Sequence, residues 1–491
     1  MQVNKMLRYS MLAVYVGAGV GAVAHADPQV QMDKRDPTFD AGPVSVTLGG
    51  FTELAGIYRA HNENADVSSS FYKIPFPGFA SNFSNTPGAT SSANPQQYYE
   101  PEFRESARQS RFAVLAKYGE GEDKFEYYME TDFLSAGSTS NSNESNSYTL
   151  RMRHFYGDWQ HDDWSLLAGQ TWSMATPFSQ GLEIRKQYNP LTIDAQYVVG
   201  FNWARQAQLR LVKSFGNFAA VGISLEEPQT AGILGSAGSG TTVNGAGNGS
   251  GLLSPSTNYS DDVAPDVIVK AAFDPGFGHY EIYSLTRFMH DRGNGTNNTI
   301  QENHTTVAES IGANTLIHVV PKFLDFQASG LIGRGNGRYG SGQLNDAVVN
   351  PGDGSLSATQ EQQMLIGVVG HPTNRLDLYV YAGMENQKAA YGDGGGANKN
   401  VGCNLNPIGN EPVTTPVTPI STNLSCSGNI GTERMVAFGG WWKAYKGTLG
   451  SFQIGAEGSY LANRTLADAT GLVGTTKDPM AFISFRYYPF Q

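Results

Sequence analysis

Along much of the chain, apolar and polar residues alternate one for one. In KFEYYMETDF (124–133), Phe125, Tyr127, Met129 and Phe133 share one phase, and Glu126, Tyr128, Glu130 and Asp132 the other. RQAQLRL sets Ala207, Leu209 and Leu211 against Gln206, Gln208 and Arg210; RLDLYVYAG sets Leu376, Leu378, Val380 and Ala382 against Asp377, Tyr379 and Tyr381. In TLRMRHFYGDW (149–159), Leu150 and Met152 alternate with Arg151 and Arg153. A period of two belongs to the pleated strand. Reading the whole chain this way predicts sixteen strands, at 44–60, 110–118, 124–133, 148–158, 163–172, 204–214, 217–226, 265–273, 278–290, 306–319, 322–334, 360–370, 374–384, 433–446, 448–462 and 478–488. Most reach the ~9–11 residues that a tilted strand needs to cross a bilayer.

The connections carry more information than the strands. Long ones at about 61–109, 134–147, 173–203, 227–264, 291–305, 335–359, 385–432 and 463–477 alternate with short turns such as 119–123, 159–162, 274–277 and 371–373. An ordinary antiparallel sheet with its polar face in bulk water explains any single strand equally well, but it has no reason to keep every second connection short. A membrane barrel does: its turns are short at one end and its loops long at the other. The expected fold is therefore all-β, a transmembrane antiparallel barrel of about sixteen strands. Its short turns would be periplasmic and its long loops extracellular, in a single domain over 44–491. Alternation then means lipid on one face and a water-filled lumen on the other.

The chain start agrees. Lys5 and Arg8 precede an apolar run from Met11 to Ala24, and Ala24-His25-Ala26 has the pattern of a cleavage site. Residues 1–26 read as a signal peptide, and 27–43 as a short periplasmic segment before the first strand. Without the signal, 31 Lys and Arg face 44 Asp and Glu, a net charge of −13, which argues against nucleic acid as a partner. Charged residues make up only 16% of the chain, below the ~25% of ordinary soluble domains, which favours a lipid-facing surface over a soluble exported protein. Cys403 and Cys426, the only cysteines, fall in one Gly-, Pro- and Thr-rich connection of an exported chain, where a disulfide clasp is expected.

Between about 105 and 215 the chain resembles the trimeric outer-membrane porins of the DcaP type. The stretches that carry the likeness are ARQSRF (107–112), TLRMRHFYGDW (149–159), LLAGQTW (166–172) and RQAQLRL (205–211), in the family's order and spacing. The resemblance implies a sixteen-stranded homotrimeric channel in the outer membrane, with a positively charged constriction that takes small dicarboxylates and related anions. Two departures stand out. Asp27 to Pro43 is too short for the helical coiled-coil extension that usually precedes such barrels. The C-terminus ends Tyr487-Tyr488-Pro489-Phe490-Gln491, and Pro489 has no N–H for a further ladder bond. The outer-membrane assembly machinery is expected to read Phe485, Tyr487 and Phe490.

Selectivity is expected where the third long connection, 173–203, folds into the barrel as it does in trimeric porins of this size. It carries Glu183, Arg185 and Lys186. Arg111, Arg151, Arg153 and Arg210 lie in the inward phase of their strands, with Arg205 at a strand start and Glu126, Glu130 and Asp132 between them. Arginine suits an anion path because it stays charged and holds carboxylates with two bonds. A static salt-bridge network that merely stabilises the wall uses the same residues.

Nothing points to catalysis, a metal or a cofactor. GNGRYG (335–340) fits G-x-G-x-x-G but opens a loop between antiparallel strands, without the βαβ unit that the dinucleotide motif requires. There is no H-E-x-x-H spacing and no G-x-S-x-G elbow. His154 falls on the outward phase and is expected at the rim. The alternatives are a barrel enzyme of the phospholipase or protease type, or an adhesin that works through its loops.

Overall fold

The computed structural model describes residues 37–63, 65–68, 71–74, 100–135, 148–231, 260–294, 301–349, 355–388, 430–466 and 473–490. The expected signal peptide, residues 1–26, and Cys403 and Cys426 with their expected clasp lie outside them. The strands in chain order are β1 (Thr38–Ala41), β2 (Val44–Arg59), β3 (Glu102–Ser106), β4 (Arg111–Glu120), β5 (Asp123–Asp132), β6 (Arg151–His161), β7 (Trp164–Trp172), β8 (Arg205–Phe215), β9 (Ala219–Glu226), β10 (Asp266–Phe273), β11 (Gly278–Asn294), β12 (Gln301–Val320), β13 (Leu324–Arg334), β14 (Ala347–Val349), β15 (Leu356–Ala358), β16 (Gln360–Thr373), β17 (Leu376–Gln387), β18 (Ile430–Gly447), β19 (Gly450–Thr465) and β20 (Thr475–Tyr488).

Every wall strand pairs antiparallel with its sequence neighbour, and β2 meets β20 from Thr52 to Arg59, which closes the sheet. Closure matters because lipid offers backbone groups no partner. The barrel has sixteen wall strands, because β3 and β4 act as one: β3 pairs with the upper part of β2 (Ala55–Arg59) and β4 with its lower part (Ser45–Phe51). The sequence reading placed all of 61–109 in a connection and missed β3. The chain leaves the ladder at Ala107–Ser110, where Ser110 N–H donates to Ala107 O at 3.0 Å and Glu53 N–H donates to Ser110 Oγ at 3.0 Å. That break hides the strand's continuity.

A second difference concerns the start. Segment 27–43 contains a short strand, β1, which forms a hairpin with Val44–Thr47 of β2. It occupies the edge of β2 that β20 leaves free, since β20 stops at Tyr488, just before Pro489. The turn ends of the barrel use left-handed residues, as two-residue hairpins require: Gly121 has φ +62° and Asp162 φ +50°.

The phase of the strands matches the expected faces. Phe112, Phe125, Phe155, Leu209, Ile366, Phe438 and Ile483 are exposed on the outside, while Glu126, Tyr128, Glu130, Asp132, Arg153 and Arg210 are buried inside. So broad an exposed apolar surface is stable only against hydrocarbon. One strand departs from simple alternation. Between β5 and β6 the register shifts after Glu130, so Glu130 faces His154 and Thr131 faces Met152. Arg153 is the extra residue of the bulge, and Arg153 and His154 both turn inward. His154 is thus no rim residue: it is 1% exposed, with Nδ1 2.9 Å from Thr171 Oγ1.

This topology predicts which ends are accessible. In a background with Cys403 and Cys426 replaced by Ser, single cysteines at Lys388 and Val473, on the long-connection side, should react with an impermeant maleimide on intact cells. Cysteines at Gly121 and Gly276 should not. Labelling of the short turns would invert the barrel.

Candidate functional site

The segment 173–203 lies inside the barrel, and most of its residues are buried. Its apolar residues Leu191, Ile193, Val198, Val199 and Phe201 pack against Tyr379, Tyr381, Met435, Trp441 and Phe482 of β17, β18 and β20. Tyr379 and Tyr381, read from sequence as facing water, therefore line a buried interface. This contact buries enough apolar surface to hold the segment on that side of the lumen.

Polar anchors set its path. Backbone N–H groups of the segment donate to carboxylates of the wall: Met174 to Glu226 (2.8 Å), Phe178 to Glu281 (3.0 Å), Ile193 to Glu457 (2.6 Å) and Gly200 to Glu385 (2.8 Å). Leu191 N–H donates to the Tyr381 hydroxyl at 3.2 Å, and Trp441 Nε1 donates to Leu191 O at 2.8 Å. A loop folded into a barrel carries backbone donors that strands cannot pair, and buried donors need acceptors. Here the acids of the wall supply them. No sequence pattern flagged Glu226, Glu281, Glu385 or Glu457, because in sequence they are simply polar residues in the inward phase.

A second segment enters beside the first. Residues 335–346 join 173–203 through Trp203 N–H to Tyr339 O (3.2 Å), Ser341 N–H to Phe201 O (3.0 Å) and Ser341 Oγ to Val198 O (2.6 Å). GNGRYG belongs here. A Cβ on Gly337 would collide with Leu344 O, and one on Gly340 with the Glu385 carboxylate. The glycines allow close packing in the lumen rather than phosphate binding.

The wall formed by β4, β5 and β6 is rich in arginine. Glu130 accepts from Arg153 Nε (2.5 Å), Arg111 Nη1 (3.3 Å) and the Tyr128 hydroxyl (2.7 Å). Asp132 takes two bonds from Arg151, at 2.9 and 2.7 Å, and one from Arg153 at 2.9 Å. Three guanidinium groups thus face two carboxylates. Exposure sorts them: the Arg111 and Arg153 side chains are 3% and 2% exposed and both acids 0%, while Arg151 is 30% exposed. Arg151 is the only one of the five with substantial water contact.

The remaining candidates are placed as follows. Arg185, on the inward segment, makes a two-bond pair with Glu126 at 2.8 and 3.1 Å and is itself 24% exposed. Burial would lower its basicity, but Glu126 more than offsets this, so the group is held above its ordinary range. Lys117 reaches the same Glu126 at 3.2 Å. Glu183 is exposed and Lys186 half-buried. Arg210 is buried and donates to Gln208 Oε1 (2.9 Å) and Trp172 O (2.6 Å), away from the other arginines' acids. Arg205 is half-buried, stacks 4.5 Å above the Trp172 ring, and makes no hydrogen bond or ion pair among the described residues. It lies within electrostatic reach of Arg153 and Arg151.

No family model and no curated protein sequence matches the chain. Solved structures do. The outer membrane channel DcaP of Acinetobacter baumannii superposes with a TM-score of 0.60 over 92% of this chain and 99% of that one, at 15% identity. An anion-selective porin from Comamonas acidovorans aligns with a TM-score of 0.47 and 8% identity, over 91% of this chain and 99% of that one. Salmonella typhi OmpF in complex with daunomycin gives 0.46 and 11%, over 92% and 100%. In fold, the chain is a sixteen-stranded antiparallel β-barrel similar to the DcaP channel.

Proposed function

We propose that the protein is a porin, a passive channel for small hydrophilic solutes that favours small anions such as dicarboxylates. It has no catalytic role in this reading and assembles as a homotrimer in the outer membrane, inserted by the membrane's own assembly machinery. One observation carries the anion preference. Where β4, β5 and β6 face the inward segment, the charges that keep contact with water are cations, Lys117 (53%), Arg151 (30%) and Arg185 (24%), while Glu126, Glu130 and Asp132 are 8% exposed or less. A solute passing this wall meets guanidinium and ammonium groups first, and the acids stand behind them. Rings of such groups are a known device of anion pores. The net charge of −13 does not oppose this, because acids such as Glu226, Glu281, Glu385 and Glu457 accept hydrogen bonds from the inward segment.

The test is direct. Purified protein reconstituted in a planar bilayer should give stable conductance, and in a salt gradient its reversal potential should move toward the anion equilibrium value. Small dicarboxylates added on one side should reduce the current of monovalent anions. A silent bilayer would favour an enzyme or adhesin barrel, and a cation-selective current would remove the anion preference while leaving the porin.

A further inference from the structure

Glu433 on β18 is 0% exposed, and both its carboxylate oxygens lack a hydrogen-bond partner; it makes no ion pair among the described residues. An ionised carboxylate buried alone is very costly, so such a group is either neutralised by a proton or met by a compensating charge. The register sets it directly opposite Glu385 of β17, which is also 0% exposed. The inward segment 335–346 covers the pair. A Cβ on Gly342 would lie inside 3.0 Å of both Glu433 Oε2 and Glu385 Oε2, so the two oxygens share one small space beneath that glycine.

A third unpartnered oxygen belongs to a side chain beside this pair. Gln363 lies opposite Glu385 in the β16–β17 register and is 1% exposed. Its Nε2 is spent on Asn336 O at 2.6 Å, while its Oε1 has no partner. A Cβ on Gly340 would meet both the Gln363 amide carbon and Glu385 Oε2 inside 3.0 Å, which places the Gln363 amide beside the Glu385 carboxylate. The unpartnered atoms are therefore all oxygens, two carboxylates and an amide, with no nitrogen or sulfur among them. That is the donor set of a hard divalent cation; calcium accepts such ligands at 2.3–2.6 Å in irregular arrangements, and waters complete its shell.

We propose that Glu433 Oε2, Glu385 Oε2 and Gln363 Oε1 hold a calcium ion beneath Gly340 and Gly342. The other oxygen of Glu385, Oε1, already accepts from Gly200 N–H and Gly342 N–H, both at 2.8 Å, and from Ser341 Oγ at 3.2 Å. Glu385 thus ties both inward segments to the wall, and the ion fixes Glu385. Calcium would act as a clasp on the lumen's filling, on the side away from Arg151 and Arg205.

The experiment uses the full mature protein, free of lipopolysaccharide, in zwitterionic detergent. After treatment with a chelator and its removal, calcium titrated by isothermal calorimetry should bind at one site per chain. At millimolar calcium the melting temperature should rise by several degrees, and current noise in bilayers should fall. Glu433→Gln keeps the size and removes one charge; it should fold, lose the calorimetric site, and melt at a temperature that calcium no longer moves. Gln363→Met should weaken calcium binding at least tenfold while leaving the two acids in place. No heat and no melting shift in the wild-type protein would overturn the proposal. So would a melting temperature that follows pH alone, which would mean that a shared proton fills the space. An equal calcium response in Glu433→Gln would assign the effect to another site.

Discussion

Replacing Arg151 and Arg205 together with Ala should cut the anion-over-cation permeability ratio at low salt by roughly fivefold or more. A unit charge about 4 Å from a passing ion in water-like surroundings contributes about 1 kcal/mol, worth about fivefold, and the double variant removes two such charges. Both residues can be lost without opening the wall. Asp132 keeps its 2.9 Å bond from Arg153 when Arg151 is gone, and Arg205 has no carboxylate to leave behind. Arg153 is the instructive contrast. It is 2% exposed and bonds both Glu130 and Asp132, so Arg153→Ala removes the shared counter-charge of two buried acids and leaves Glu130 to Arg111 at 3.3 Å and Asp132 to the partly exposed Arg151. Breaking such a pair typically costs about 3–5 kcal/mol, and that variant should show reduced folding yield before any change in selectivity can be read. In 1 M salt, where the Debye length is about 3 Å, the selectivity of the double variant and of the parent should converge. Reversal potentials in a salt gradient measure this. An unchanged value in the Arg151/Arg205 variant would mean that these groups serve the wall and not the solute.

The contrast between Arg151 and Arg153 shows how far the sequence could be read. Strand phase was legible because lipid on one side leaves each strand little freedom: Phe125, Tyr127 and Met129 face outward and Glu126, Tyr128 and Glu130 inward, as the alternation of residues states. The sixteen wall strands were legible from the rhythm of short and long connections. What alternation cannot show is a local change of count. One bulge at Arg153 turned His154 inward, and one break at Ala107–Ser110 concealed β3. Nor does alternation say what an inward residue will meet. Tyr379 and Tyr381 look like lumen residues in water, and Glu457 like a pore acid; all three lie beneath a segment some 190 to 260 residues away in sequence. The contacts that fill the barrel join distant parts of the chain, and the only local sign of them was the glycine spacing of GNGRYG, whose reason is close packing.

That dependence on distant acids gives the second large effect. Glu457→Leu should raise single-channel conductance and make the open current noisier, while the barrel itself stays folded. Glu457 Oε2 accepts from Ile193 N–H at 2.6 Å and from the Tyr379 hydroxyl at 2.8 Å, both in a buried setting. Leucine accepts nothing. A buried donor left unpaired costs roughly 1–3 kcal/mol, and two such donors shift the balance between docked and undocked segment by at least about tenfold. The strain falls on the segment because the ladder of β19 with β18 and β20 does not use the side chain of residue 457. Glu457→Gln is the control: its amide oxygen can still accept both bonds, so its conductance should stay close to the parent's. The apolar contacts of Leu191, Val198 and Val199 remain in either variant, so the segment loosens rather than leaves the lumen. Heat resistance of the folded band on a gel reports the barrel, and single-channel traces report the segment. If Glu457→Leu conducts with the same step size and noise as the parent, the apolar contacts alone hold the segment, and the carboxylates of the wall are not its anchors.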